Sequence, residues 1–193
     1  MARAKHGTGT GRSRALIRER REAQRRRQTW TAIAVGAVVV VALALLFGLN
    51  VLRAANLPGE RLSDLGNLHI DEGTRSPIAY NSTPPTSGPH YPSLAEWGVH
   101  DETLPDELVV HNLEDGGVGV WYNCPEGCPE LVDQLAEVVG QYDEGVLMAP
   151  YPGMDTRIAL TAWTRIDRFE AFDEERVADF IEAYLGTDHH ERP

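Results

Sequence analysis

The chain carries two cysteines and seven histidines, and their spacing raises the question of chemistry first. Cys124 and Cys128 lie in Tyr122-Asn123-Cys124-Pro125-Glu126-Gly127-Cys128-Pro129-Glu130-Leu131, where a strand pattern ends and a helix pattern begins. Proline suits the first helical position because its missing N–H would have no partner there. That puts Cys128 at the N-cap, where the helix dipole stabilises a thiolate. A thiolate serves a soft metal or a redox step. The alternative is a disulfide closing the short Cys124–Cys128 loop, which an oxidising compartment allows.

Imidazole, carboxylate and thioether donors extend this set. His90 closes the run Pro84-Pro85-Thr86-Ser87-Gly88-Pro89-His90, and His111 opens His111-Asn112-Leu113-Glu114-Asp115-Gly116-Gly117. Read as an extended strand, the second run puts His111, Leu113 and Asp115 on one face. Met148 sits in an apolar strand and reads as core, whereas Met154, beyond Pro150-Tyr151-Pro152-Gly153, reads as an exposed donor. His90, His111, Asp115, Cys124, Cys128 and Met154 together form the expected metal set, with copper the ion such mixed donors suit. His69 and His100 have no companions nearby in sequence and read as surface residues. His189 and His190 can bind metal adventitiously, though a solvated tail explains them as well. Glu114-Asp115 could serve acid–base work, though such a pair at a hairpin tip is more often turn chemistry. Ser87 beside His90 invites a hydrolase reading, but Ser-Gly-Pro-His is a turn sequence without a strained nucleophile elbow, so no catalytic residue is assigned.

These donors must be held by local elements. Leu108–Leu113 and Val118–Tyr122, flanking Gly116-Gly117, have the pattern of a β-hairpin. Leu131, Val132, Leu135, Val138 and Val139 recur with helical spacing, predicting a helix from Pro129 to Tyr142. Short strands follow at Val146–Ala149 and Arg157–Trp163. A second amphipathic helix carries Val177, Phe180, Ile181, Tyr184 and Leu185, opened by Asp173 as N-cap and closed by Gly186. The expected fold is α+β, a small mostly antiparallel sheet with helices packed on one face.

The domain is preceded by a different kind of chain. Net charge is −11, yet residues 1–28 hold ten Lys/Arg against two acids. Thr31–Leu52 is uncharged, and as a helix would reach roughly 33 Å, enough to cross a ~30 Å hydrocarbon layer. A cleaved secretory signal would have a shorter apolar core. The expected organisation is a basic cytoplasmic tail (1–28), a transmembrane helix in the lipid bilayer (29–52), a stalk (53–75), an extracytoplasmic domain (76–188) and a short tail (189–193). The basic flank orients the span with the carboxyl end outside the cell membrane. The acidic exterior excludes nucleic acid as a partner.

Pro84–His90 and the His111–Gly117 run, followed by a hydrophobic strand, resemble a bacterial family known as domain of unknown function 3105, typified by PPTSGPH and HxLEHGG. The likeness runs from Tyr80 to Tyr184 and includes Leu160-Thr161-Ala162-Trp163. It implies an envelope-anchored context and no particular activity. Asp115 stands where that pattern has a second histidine, an exchange that hardens any metal site there. Around Cys124 and Cys128 the chain is also similar to the copper-site segment of Sco-type copper chaperones, although the surrounding elements do not follow a thioredoxin order. Three functions stand at this point: a metal-handling domain, an envelope binding module with a structural disulfide and a protein partner, and a hydrolase.

Overall fold

The computed structural model describes residues 25–27, 30, 31, 33, 35–48 and 57–190. The chain divides into two compact units, Met1–Asn56 and Leu57–Pro193. In the first, residues 35–48 are helical (α1) and expose Val38, Leu43, Leu45 and Phe47. Among the described residues no helix is long and apolar enough to cross a membrane. Most of the basic tail, both ends of the expected 29–52 span, the first residues of the expected stalk and residues 191–193 lie outside the described residues.

The second unit is built on a six-stranded sheet. Its strands are β1 (Glu60–Arg61), β2 (Gly98–Val99), β3 (Val118–Tyr122), β4 (Val146–Pro150), β5 (Ile158–Ala162) and β6 (Arg165–Phe169), in the spatial order β1-β6-β5-β3-β4-β2. β4 runs parallel to both β2 and β3, while β3–β5, β5–β6 and β1–β6 are antiparallel. The helices are α2 (Asp106–Glu114), α3 (Pro129–Val139) and α4 (Glu174–Tyr184).

The α+β class holds, but the helices do not share one face. Val118, Val120, Val146, Met148, Ile158 and Leu160 point toward α3 and α4, where Leu131, Leu135, Val177, Phe180 and Ile181 meet them. The alternate residues Trp121, Leu147, Ala149 and Ala159 meet Val109 of α2 on the opposite side. Strands covered on both faces read as continuous apolar runs, as Val146-Leu147-Met148-Ala149 does. Trp121 is fully buried, and its indole N–H donates to the Thr161 hydroxyl at 2.7 Å. The sheet is also more mixed than expected, because the connection carrying α3 returns β4 parallel to β3.

Leu108–Leu113 is not a strand. Asp106 and Glu107 occupy the first turn of α2 after Pro105, and acids there favour a helix through its dipole. Val109, Val110 and Leu113 are fully buried at i, i+1, i+4, a helical spacing that the β-branched pair disguised. Gly116 and Gly117 therefore end a helix rather than turn a hairpin. Gly116 has φ +84° and donates to the Leu113 carbonyl, and Gly117 donates to Asn112. The Asn112 side chain then holds the proline-rich loop by two 2.9 Å bonds to the Ala95 N–H and carbonyl.

From Leu57 onward the expected stalk belongs to the compact unit: β1 pairs with β6, and residues 66–70 lie alongside 88–90. β6 was not anticipated. The two amphipathic helices stand close to their expected places, with Cys128 at the N-cap of α3, Pro129 at N1, and the Asp173 carboxylate accepting from the Arg176 N–H.

Candidate metal centre

Four side chains from three segments converge beside the last turn of α2. His69 comes from the N-terminal segment, His90 from the proline-rich loop, and His111 and Glu114 from α2 itself. His69 and His90 face each other across a parallel bridge, in which Ile70 N–H donates to the His90 carbonyl at 2.8 Å and His90 N–H to Leu68 at 3.0 Å. The three ring centroids are 4.8, 5.1 and 5.0 Å apart. One donor atom from each residue, including a Glu114 carboxylate oxygen, lies within 4.8 Å of all the others. A tetrahedral ion with ligands at ~2.1 Å needs donors roughly 3.4 Å apart, so closing on an ion takes about an ångström of side-chain movement.

The hydrogen bonds orient these donors inward. His90 Nδ1 lies 2.8 Å from the Gly88 carbonyl and His111 Nδ1 lies 2.8 Å from the Tyr91 carbonyl. A carbonyl only accepts, so both Nδ1 atoms carry hydrogen and both Nε2 atoms are left to face the cluster. Ligating histidines are held in this way, by a second ring nitrogen tied to backbone or carboxylate. Glu114 is fixed too: Asn67 Nδ2 donates to its Oε1 at 2.6 Å. Its Oε2 stands 3.0 Å from His90 Nε2 and 3.7 Å from His69 Nε2.

Burial makes this arrangement demanding. The His90 and Glu114 side chains are 0% and 1% exposed, and neither His90 Nε2 nor Glu114 Oε2 has a hydrogen-bond partner. Burial lowers the His90 pKa, against the opposing pull of the Gly88 carbonyl and the Glu114 charge. When His90 is neutral with its hydrogen on Nδ1, a lone pair faces a carboxylate oxygen at 3.0 Å; when Nε2 is protonated, the same contact is a buried ion pair. Two buried acceptors that close repel unless a cation lies between them.

A second group borders the first. His111 Nε2 lies 3.7 Å from Asp115 Oδ1, one helical turn on. His190 approaches Asp115 at 3.6 Å and Glu114 at 3.5 Å, while its Nδ1 lies 2.8 Å from Asp188. That hydrogen bond to Asp188, foremost, raises the His190 pKa. The tail bearing His190 is tied to α2 by Gly186 N–H to Gly116 and His189 N–H to Glu114, both 2.8 Å. His189 stacks on Trp163, with centroids 6.0 Å apart.

The expected donors are thus only partly brought together. His90, His111 and Asp115 converge, although His111 and Asp115 do so at helical rather than strand spacing. Cys124 and Cys128 form a disulfide and belong to neither donor group found among the described residues. Met154, expected at the surface, is buried at 5% exposure against the α2 side of the sheet, and Met148 is core. Ser87 is buried with its hydroxyl accepting from the Leu65 N–H, and it is bonded to neither ring nitrogen of His90: Nδ1 faces the Gly88 carbonyl and Nε2 has no hydrogen-bond partner. The sequence reading missed His69 and Glu114 as donors and gave His190 at most an adventitious role. For Glu114 the available signal was its place three residues after His111, which on a helix brings both to one face.

The result is a mixed α/β domain presenting a buried histidine–carboxylate cluster. The chain belongs to the family described as Protein of unknown function (DUF3105), which matches residues 69–193 and so takes in every member of both donor groups. No curated protein and no solved structure matches it.

Proposed function

We propose that this domain binds a divalent first-row transition ion through His69, His90, His111 and Glu114. The observation that carries the reading is the buried 3.0 Å approach of His90 Nε2 and Glu114 Oε2, with the other histidine nitrogen bound to a backbone carbonyl. A metal ion placed there turns a repulsive pair into two ligands, and His69 and His111 complete the shell. Three imidazoles and a carboxylate suit Zn²⁺ and also Fe²⁺, Ni²⁺ or Cu²⁺. Cu⁺, which prefers thiolate and thioether, fits poorly once the cysteines are paired and Met154 is turned into the core. The copper expectation therefore narrows to Cu²⁺ as one member of a wider group.

The domain's setting belongs to the same proposal. The basic tail and uncharged stretch support a single-pass anchor across 29–52 with the domain outside the cell membrane, where the Cys124–Cys128 disulfide is stable. A reporter fused to the carboxyl end and active only in the cytosol would overturn this placement.

The metal reading is tested by elemental analysis of the full chain, purified in detergent without chelator. About one first-row ion per chain is expected. It should be lost in His90→Ala and His111→Ala and kept in Cys124→Ser/Cys128→Ser. A chain that carries no metal and takes up neither Zn²⁺ nor Co²⁺ would refute it.

A further inference from the structure

His111 belongs to both donor groups: His69, His90, His111 and Glu114 inside, and His111, Asp115 and His190 outside. Its Nδ1 is committed to the Tyr91 carbonyl, so Nε2 is its single donor for either group. One lone pair holds one ion, and the two positions exclude each other through His111. They also differ in access. His90 and Glu114 of the inner group are closed to solvent and His69 at its edge is 46% exposed, whereas in the outer group both Asp115 and His190 reach the surface, at 31% and 43%. Between them Glu114 Oε2 lies 3.5 Å from His190 Nε2 and 3.0 Å from His90 Nε2, so one carboxylate oxygen spans the gap.

We propose that the two groups are successive stations on one loading path for the metal. The inference rests on the binding reading above and concerns how the ion reaches that site. A divalent ion is caught at the surface by Asp115 and His190, takes His111 Nε2 as a third ligand, and passes to the buried set without releasing His111. The oxidation state stays constant: His190, Asp115 and one water carried in on the ion leave as Glu114, His90 and His69 bind, so four ligands are kept throughout. The backbone bonds from Gly186 to Gly116 and from His189 to Glu114 keep the tail over the last turn of α2, so His190 waits at the mouth of the site.

The path is tested by stopped-flow mixing of chelator-stripped full chain with Co²⁺, whose absorption reports imidazole coordination. In Asp115→Asn the second-order loading rate should fall about tenfold, the low end of what locally placed charge adds to an on-rate, and in His190→Ala it should fall because a capturing ligand is lost. Release to excess chelator should slow by the same factor, leaving affinity and the final spectrum unchanged. The combined variant should fall further, and His90→Ala should load fast but hold Co²⁺ weakly. Weaker affinity with an unchanged loading rate would make His190 a resident ligand and overturn the path, as would wild-type rates in the variants. Absence of any Co²⁺ binding by the wild-type chain would instead overturn the metal reading itself.

Discussion

Glu114→Gln separates a metal-holding cluster from one that holds a proton. The substitution keeps shape and removes charge. The amide oxygen can keep the bond from Asn67 Nδ2, now 2.6 Å, while the NH₂ replaces the oxygen that stands 3.0 Å from His90 Nε2. If His90 is neutral, a repulsive contact becomes an N–H···N hydrogen bond, a net gain of about 1 kcal/mol in the metal-free protein. If instead His90 and Glu114 form a buried ion pair, removing one charge costs about 3–5 kcal/mol. The compact unit has about 140 residues, and at ~2.1 cal/mol/K per residue its unfolding entropy is about 0.3 kcal/mol/K. The two cases therefore differ in sign: a rise of roughly 3 °C in Tm against a fall of 10 °C or more. Metal adds a second readout. At a hundred times its Kd, Zn²⁺ stabilises the wild type by about 2.7 kcal/mol, or roughly 9 °C, and the variant much less. Thermal melts of residues 57–193, chelator-treated and then titrated with Zn²⁺, measure both. A variant that melts 10 °C below the wild type without metal, joined to a wild type indifferent to Zn²⁺, would refute the reasoning.

Two further outcomes follow from the same geometry. Cys124→Ser/Cys128→Ser opens the short loop before α3 and should cost about 2 kcal/mol by loop entropy, a fall of roughly 7 °C. Because the disulfide is not part of either donor group, the Zn²⁺-induced rise in Tm should survive; its loss would place the cysteines back in the metal shell. Asp106 accepts a 2.8 Å hydrogen bond from the Tyr151 hydroxyl, and burial above all raises its pKa over the ordinary 3.8. A carboxyl with a raised folded pKa favours folding while protonated, and that contribution is lost as pH rises from the unfolded value through the raised one. Asp106→Asn lacks this step, so its urea midpoint should match the wild type near pH ~3 and exceed it at pH ~7. A midpoint lower at pH ~7 than at pH ~3, relative to wild type, would show that the charged form is the favoured one.

What sequence alone determined was whatever a few neighbouring residues decide. Helical spacing of apolar side chains, Pro129 behind Cys128 and Asp173 as N-cap identified α3 and α4, because capping and amphipathicity are local properties. The close spacing of the two cysteines left disulfide and thiolate both open; folding brought them to a Cα separation of 5.8 Å and paired them. The state of α2 was ambiguous locally, since Val109-Val110 suits a strand while Pro105, Asp106 and Glu107 suit a helix start. Packing of Val109 against Trp121 and of Val110 and Leu113 against Trp163 decided it. The donor set was beyond local reading altogether. Glu114 looked like a solvated turn acid, His69 and His190 like surface residues, and Met154 like a ligand. Only the closing of the N-terminal segment, the proline-rich loop and the C-terminal tail over one helix end buried the carboxylate among imidazoles. A side chain's chemistry depends on what excludes water from it, and that is set by segments far apart along the chain.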